Sequence, residues 1–327
     1  MGWRPRRPRN SVIAVFAGLL LLSVQSQPVS VKAETVSFQH RDLALGGVLY
    51  RPEGPGPFPA VLYNHGSAPG NLNDQAFEQL GPLFVQRGWV FFAPYRRGQG
   101  LSSSAGPYIG DVIRTARNRH AGLVALGALP IVLVFLVISR KQRLRLRVLW
   151  ALVLGTGTAL AMQLISSRAG AEAMVRALEN EHLSDQLAAL EWLNKQEFVV
   201  RSRIATAGNS FGGVEVVLGA ARASYCAGVV GSGGAESWAT TPQLREVMAR
   251  AARGSKAPIF FFQAENDYDI QPSRVLSAVM SQAGKIAEVR IYPKFGNTAS
   301  EGHAFAWAGS QVWADDVFAF LEAHCSH

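Results

Sequence analysis

Short apolar runs alternate with longer amphipathic stretches over most of this chain. Several runs, such as Phe260-Phe261-Phe262, are continuously apolar, which is typical of strands buried on both faces of a mostly parallel sheet. Strands that alternate with helices predict an α/β fold with right-handed crossovers. The first two runs alternate between apolar and polar residues and suit an antiparallel edge. We predict eight strands, at 35–39, 48–51, 60–64, 90–94, 203–207, 228–231, 259–264 and 289–292, and helices at 74–87, 172–196, 213–223, 242–253, 272–283 and 311–323.

Two apolar runs are too long for this pattern. The first, 121–139, is apolar for 19 residues around Pro130, and the second covers 148–166. At a rise of 1.5 Å per residue each helix would span about 28 Å, close to the hydrocarbon thickness of a bilayer. The segment 121–166 is therefore predicted to be an inserted hydrophobic helical hairpin. It is either a pair of transmembrane helices or a pair of apolar helices that cover an active site as a lid.

The distribution of charge favours the membrane alternative. The net charge is +9, but ten of the cations lie in 1–33 and 140–147, which contain no acid, and the remaining residues sum to −1. The turn between the two apolar runs carries five cations in eight residues, as the positive-inside rule expects of a cytoplasmic loop. The turn of a lid would have no physical reason to be so basic. We therefore expect contact with membrane lipid through 121–166 and no binding of nucleic acid.

The first 33 residues resemble a secretory signal peptide. A basic region at 4–9 precedes an apolar region at 12–24, and Val31-Lys32-Ala33 offers small residues for cleavage. An uncleaved anchor is the alternative. If residue 34 lies outside the cytoplasm, the first apolar helix enters the membrane from that side and the basic turn lies in the cytoplasm. The second apolar helix then returns the chain, so that the segments 34–120 and 167–327 share the extracytoplasmic side. Export permits a disulfide between Cys226 and Cys325, but we expect two unpaired thiols.

The stretch Gly208-Asn209-Ser210-Phe211-Gly212 carries the most specific chemistry in the chain. It follows a predicted strand and precedes a predicted helix, which is the context in which G-x-S-x-G forms a nucleophile elbow. The glycines leave room where strand and helix approach each other at a strained turn. Ser210 is therefore the candidate nucleophile.

An acid and a base follow Ser210 in the order expected for this arrangement. Asp267 ends the polar turn after the strand at 259–264, and Asp269 is its rival two residues later. His303 lies in a predicted loop after the last strand, whereas the competing His324 ends a helix. A serine hydroxyl needs an imidazole to take its proton, and the imidazole needs a carboxylate to fix its tautomer. Ser210, Asp267 and His303 are the predicted catalytic residues.

These residues, together with Asn64-His65-Gly66-Ser67 and the run from Tyr95 to Ser102, make the chain similar to α/β-hydrolases of the dienelactone hydrolase and prolyl-oligopeptidase-like branch. The resemblance covers about 35–325, interrupted by the hairpin. It implies an α/β-hydrolase fold with a mostly parallel eight-stranded sheet. It also implies an oxyanion hole formed by the backbone amides of Ser67 and Phe211. Dienelactone hydrolases typically have a cysteine nucleophile, so serine here puts lactone specificity in doubt.

The resemblance and the residues together predict a membrane-tethered, exported serine hydrolase of ester or related acyl bonds. Its partner would be a small acyl substrate, and neither a metal nor an organic cofactor is expected. A prolyl-oligopeptidase-like peptidase is one alternative, although the chain has no room for a substrate-selecting propeller. A non-catalytic membrane scaffold that keeps the hydrolase fold is another. His65 is expected to be structural, and so is the loop at Arg96 and Arg97, for which binding of an anionic substrate is the other interpretation.

Overall fold

The computed structural model describes residues 32–68 and 72–326, so nearly all of the predicted signal peptide lies outside the described residues. The described part contains one eight-stranded sheet in the order β1-β2-β4-β3-β5-β6-β7-β8. All eight predicted strands are confirmed, several of them longer than predicted. Their bounds are Ala33–His40 (β1), Leu43–Tyr50 (β2), Phe58–Asn64 (β3), Val90–Pro94 (β4), Val199–Asn209 (β5), Gly228–Gly231 (β6), Ile259–Ala264 (β7) and Ala287–Tyr292 (β8).

The sheet is antiparallel only at its first edge. β1 pairs with β2, and β2 with β4, in antiparallel register, and all other neighbours are parallel. The α/β-hydrolase fold predicted from the sequence is thus confirmed, including the antiparallel first two strands. Because β3, β5, β6 and β7 run parallel, their carboxyl ends meet at one edge, where open α/β sheets place their ligand sites.

Helices cover both faces of the sheet. Side chains of β7 alternate between two cores, with Phe261 on one face and Phe260 and Phe262 on the other. Burying one such side chain contributes about 1.5–3 kcal/mol, so these strands anchor both layers. The helices are Leu72–Gln86 (α1), Ile109–Ile138 (α2), Leu144–Ala177 (α3), Leu183–Asn194 (α4), Phe211–Arg222 (α5), Pro242–Arg253 (α6), Gln271–Gln282 (α7), Ala299–Ala308 (α8) and Ser310–Cys325 (α9).

One helix was absent from the sequence prediction. The segment around His303 is the helix α8 rather than a loop. Its start is fixed by a capping box, in which the Thr298 side chain accepts from the Glu301 amide and the Glu301 carboxylate accepts from the Thr298 amide. This T-x-x-E pattern is visible in the sequence and would have predicted the helix start.

The inserted segment is a pair of long helices joined by a short turn. α2 and α3 pack against each other, and α3 continues through a π-helical turn, Leu178–His182, into α4. Both helices are long and apolar enough to cross a membrane, and none of the residues in their most apolar windows is buried. The apolar surface of the hairpin therefore does not pack onto the hydrolase core as that of a lid would.

The two cysteines are joined. A disulfide bond links Cys226, just before β6, to Cys325 at the end of α9, 99 residues apart in sequence. The expectation of two unpaired thiols is therefore wrong. The Arg203 side chain on β5 donates to the Cys325 carbonyl at 2.5 Å, which brings the end of α9 to the strand beside β6. That proximity arises from packing between distant elements and leaves no local signal in the sequence.

Candidate active site

Ser210 occupies a strained turn between β5 and α5. Its backbone has φ 55° and ψ −119°, a left-handed region that non-glycine residues rarely adopt. Two backbone hydrogen bonds tie the turn to the end of β6 and the loop after it: the Ser210 amide donates to the Gly231 carbonyl at 2.9 Å, and the Ser210 carbonyl accepts from the Gly234 amide at 3.2 Å. The strained conformation lifts the side chain off the end of the sheet, as the predicted nucleophile elbow requires.

Both glycines of the motif are required by close backbone contact. A Cβ atom added to Gly212 would lie 1.9 Å from the Asn64 carbonyl oxygen. One added to Gly208 would lie 2.6 Å from the Gly212 oxygen and 2.7 Å from the Asn64 oxygen. The ends of β3 and β5 and the start of α5 therefore touch through their backbones, and no larger side chain fits between them.

Three predicted site residues form one hydrogen-bonded chain. The distance from Ser210 Oγ to His303 Nε2 is 2.9 Å, and that from His303 Nδ1 to Asp267 Oδ1 is 2.7 Å. Ser210 follows β5, Asp267 follows β7, and His303 lies in the first turns of α8. A neutral imidazole that donates from Nδ1 to the carboxylate can accept the serine proton at Nε2.

The Asp267 carboxylate is fully buried and has three donors. Besides His303, it accepts from the Tyr268 amide and from the Gln263 side chain, both at 2.7 Å. These bonds fix its orientation toward the imidazole. The rival Asp269 instead accepts from the Gln271 amide at 2.8 Å, where α7 begins. Gln263 was missed by the sequence reasoning, because nothing in a strand pattern marks a buried amide as a partner of the next turn.

The loop after β3 lies against the elbow. A Cβ atom on Gly66 would be 3.7 Å from Ser210 Cβ, so the loop approaches the serine closely. Among the described residues, neither the Ser67 nor the Phe211 amide donates a hydrogen bond. The Tyr108 hydroxyl donates to the Ser67 carbonyl at 2.5 Å and so holds the loop at the peptide that follows this amide. Both amides are thus left without an acceptor among the described residues, and the oxyanion hole predicted from the sequence needs two such donors.

A buried arginine holds this loop from behind. Arg96 donates to the carbonyls of His65 and Gly66, lies over the Phe211 ring and is 3.5 Å from the Glu215 carboxylate. The His65 ring is buried and donates from Nδ1 to the Gly66 carbonyl at 2.7 Å. Burial, reinforced by the Arg96 charge, holds the pKa of His65 well below its usual value. His65 is therefore a neutral, structural residue rather than a second base.

Arg97 has a structural contact of its own. Its guanidinium donates to both carboxylate oxygens of Asp185, at 2.8 Å and 2.5 Å. This bidentate bond raises the pKa of Arg97 and ties the loop after β4 to α4. Both arginines of the loop are therefore engaged in contacts within the protein, which favours the structural role over binding of an anionic substrate.

A cavity of about 360 Å³ opens in front of the serine. This volume suits a small ligand. The segments before α2 and after β6 both contribute to it, through Tyr108 and Glu236. The described residues include no group of three or more His, Cys, Asp or Glu side chains that could hold a metal ion. The walls come mainly from Ser67, Asn73, Tyr108, Ser210, Glu236, His303 and Trp307.

A family assignment follows from comparison with known proteins. The model of the dienelactone hydrolase family matches residues 152–323, just over half of the chain. The chain belongs to the dienelactone hydrolase family. Family membership and the esterases and peptidases that share its fold make the protein a hydrolase. The matched region includes the elbow, Asp267 and His303.

Solved structures show the same fold at low sequence identity. A Klebsiella pneumoniae protein assigned as a dienelactone hydrolase is 16% identical with a TM-score of 0.55, covering 91% of this chain and 99% of its own. An esterase of Pyrococcus furiosus is 13% identical (TM-score 0.55, 90% of this chain, 92% of its own). An acylaminoacyl peptidase of Pyrococcus horikoshii is 15% identical (TM-score 0.55), but the match covers 90% of this chain and only 42% of that one. No curated protein matches the sequence.

The contact between Gly212 and β3 generates a stability prediction. Gly212→Ala should lower the free energy of unfolding by at least about 4 kcal/mol or prevent folding, since its Cβ would collide with the Asn64 backbone. The matched control is Gly254→Ala, whose Cβ would meet its nearest neighbour at an ordinary 3.6 Å and should change stability by about 0.5 kcal/mol or less. Urea unfolding followed by tryptophan fluorescence in detergent measures both. Equal stability of the two variants would contradict the proposed close packing.

Proposed function

We propose that this protein is a serine hydrolase that cleaves an ester or a related acyl bond through an acyl-enzyme. The observation that carries the proposal is the hydrogen-bonded chain from Ser210 Oγ through His303 to Asp267. It is supported by the strained elbow, by the two amides without acceptors and by membership of a hydrolase family.

The first half of the reaction transfers the acyl group to the enzyme. His303 Nε2 takes the Ser210 proton as Oγ attacks the substrate carbonyl carbon, and Asp267 stabilises the imidazolium that forms. The carbonyl oxygen becomes an oxyanion that accepts hydrogen bonds from the Ser67 and Phe211 amides. Collapse of this intermediate breaks the acyl–oxygen bond, and the leaving alkoxide takes the proton from His303 Nε2. The products are the alcohol and an ester of Ser210.

The second half releases the acid by the same steps with water. His303 Nε2 takes a proton from a water molecule whose oxygen attacks the acyl carbon. The second oxyanion occupies the same pair of amides. When it collapses, Ser210 Oγ leaves and recovers the proton from His303, and the carboxylic acid departs. No step in this sequence requires a metal ion or an organic cofactor.

Two alternative functions are less well supported by the structure than ester hydrolysis. A peptidase of the acylaminoacyl type is supported by fold similarity, but the chain spans less than half of those peptidases, and the described residues contain no propeller. A non-catalytic scaffold would have no chemical need for a serine in a strained turn that is hydrogen-bonded through a histidine to a buried carboxylate. Ester hydrolysis is therefore the function that the site supports best.

We further propose that the protein is exported and anchored by the hairpin, with the hydrolase domain on the extracytoplasmic side. The exposed apolar surface of α2 and α3 supports a membrane span, and the basic turn at 140–147 suits a cytoplasmic position. The Cys226–Cys325 disulfide is of the kind that persists in oxidising compartments outside the cytoplasm.

The two aspartates of one turn offer a matched test of the catalytic role. Asp267→Asn should lower kcat toward p-nitrophenyl esters by about 10⁴-fold, because the amide leaves His303 in the wrong tautomer. Asp269→Asn should leave kcat within about twofold, since this carboxylate contacts only the start of α7. Steady-state kinetics of the folded variants measure both. A similar loss in the two variants would overturn the assignment of Asp267.

Cysteine labelling tests the topology. Both native cysteines are in the disulfide, so a single introduced cysteine reports its own side of the membrane. A membrane-impermeant maleimide applied to intact spheroplasts should label Glu53→Cys, in an exposed loop of the hydrolase domain, and should not label Gln142→Cys until the membrane is permeabilised. Labelling of both positions in intact spheroplasts would contradict a membrane-spanning hairpin.

A further inference from the structure

A second and larger cavity lies away from the catalytic serine. It has a volume of about 630 Å³ and lies between the domain-proximal parts of α2 and α3, next to the π-helical turn. Much of its wall is apolar and made of small side chains, such as Ala116 on α2 and Ala173 on α3. The proposed reaction uses none of this surface. The cavity is large enough for a small organic ligand with an apolar part.

The charges around this cavity do not cancel. Asp111 on its wall pairs with Arg114, and Glu181 lies close enough to Arg97 to help raise the pKa of that guanidinium. Because Arg97 is already paired with Asp185, Glu181 is one acid of the wall that has no ion pair of its own among the described residues.

Two further cations on the wall, Arg119 and Arg176, form no ion pair within the described residues. Helical side chains lean toward the amino-terminal end of their own helix, and α2 and α3 are antiparallel. Arg119 therefore leans away from the apolar part of the hairpin and Arg176 leans toward it, so that the two charges converge on the cavity.

The cavity also has a fixed position relative to the apolar helices. Arg119 is two residues before the apolar run that begins at 121, a rise of about 3 Å along α2. On the neighbouring helix, Gly170 contacts Arg117 and lies four residues after the second apolar run ends. The lower end of the cavity is thus at the level where the hairpin would leave the hydrocarbon and enter the head-group region.

We propose that this cavity binds an anionic phospholipid of the leaflet from which α2 and α3 emerge. Arg119 and Arg176 would contact the phosphate, and the apolar wall of small residues would accept the glycerol and the first part of the acyl chains. Two observations favour this ligand: the two cations complement an anionic phosphate, and the cavity lies where the apolar runs of the hairpin end. The proposal rests on the membrane hairpin proposed above, but it does not depend on the catalytic role of Ser210.

The test compares two charge changes of equal size in the full-length protein. Wild type and variants are placed in phosphatidylcholine nanodiscs that contain a minority of phosphatidylglycerol, and the lipid retained on release is counted by native mass spectrometry. The double variant Arg119→Ala/Arg176→Ala should bind phosphatidylglycerol about 30-fold more weakly, at roughly fivefold for each cation near the bilayer. The control Arg168→Ala/Lys195→Ala removes two exposed cations, one on α3 and one at the end of α4, that are paired with acids outside the cavity wall.

A pair of neutral variants tests the cavity itself. Ala116→Trp fills the space without changing charge and should abolish the retained phosphatidylglycerol, whereas Asn118→Trp, on an exposed part of the same helix, should retain it. Glycerol phosphate added in solution distinguishes a free anion from a lipid. Retention of the lipid in its presence supports the lipid site, and full displacement by it would show that the cavity recognises a soluble phosphate ester instead.

The outcomes separate this proposal from those on which it rests. Equal loss of phosphatidylglycerol in both double variants would reduce the effect to general surface charge and overturn the proposed site. The proposed site would also be overturned if Ala116→Trp and Asn118→Trp retained the same amount of phosphatidylglycerol. A failure of the hairpin to span the membrane would appear in the cysteine labelling, and a failure of catalysis in the Asp267→Asn kinetics. Neither of those results depends on phosphatidylglycerol.

Discussion

The backbone contact among β3, β5 and α5 is the constraint on which the active site depends. Gly208 and Gly212 allow the chain to reverse within van der Waals distance of the Asn64 carbonyl, and this reversal forces Ser210 into its strained conformation. A strained residue persists only where its surroundings fix it, and here a sheet buried on both faces does so. The same contact brings the loop at Gly66 beside the serine, so the nucleophile and the proposed oxyanion amides are set by one packing arrangement.

Parts of the site come from distant segments that meet at one edge of the sheet. Asp267 reaches it from the end of β7, His303 from α8, and Tyr108 from the start of the long helix that enters the hairpin. Tyr108 bonds the Ser67 carbonyl, so the loop that would bind the oxyanion is attached directly to the inserted segment. The 12 residues 109–120 of α2 separate this tyrosine from the apolar run, a rise of about 18 Å. With the hairpin in a bilayer as proposed, the cavity at Ser210 would stand clear of the lipid, and the second cavity would lie at its surface.

The fold and the hydrogen-bonded trio of Ser210, His303 and Asp267 could be predicted from sequence because their signals are local. Continuous apolar runs mark the buried strands, and the spacing of Ser210, Asp267 and His303 after three of these strands marks a site. Spacing alone cannot decide between Asp267 and Asp269, since both lie in one turn and only the position of the imidazole separates them. The bond from Arg96 to the Gly66 carbonyl and the Cys226–Cys325 disulfide join segments that are far apart in sequence, and the bond from Gln263 to Asp267 follows no sequence pattern. The helix at His303 is different, because its capping box was present in the sequence and was not used.

The central claim is that Ser210 is an activated nucleophile, and labelling with a fluorophosphonate probe tests it without knowledge of the substrate. Wild-type protein in membrane fractions should be labelled, and Ser210→Ala should not. Ser67→Ala is the matched control, because it removes another serine hydroxyl of the cavity wall while keeping the backbone amide, and it should still be labelled. Persistent labelling of Ser210→Ala, or a folded wild type that is not labelled, would contradict the account and would favour a hydrolase fold that serves as a scaffold.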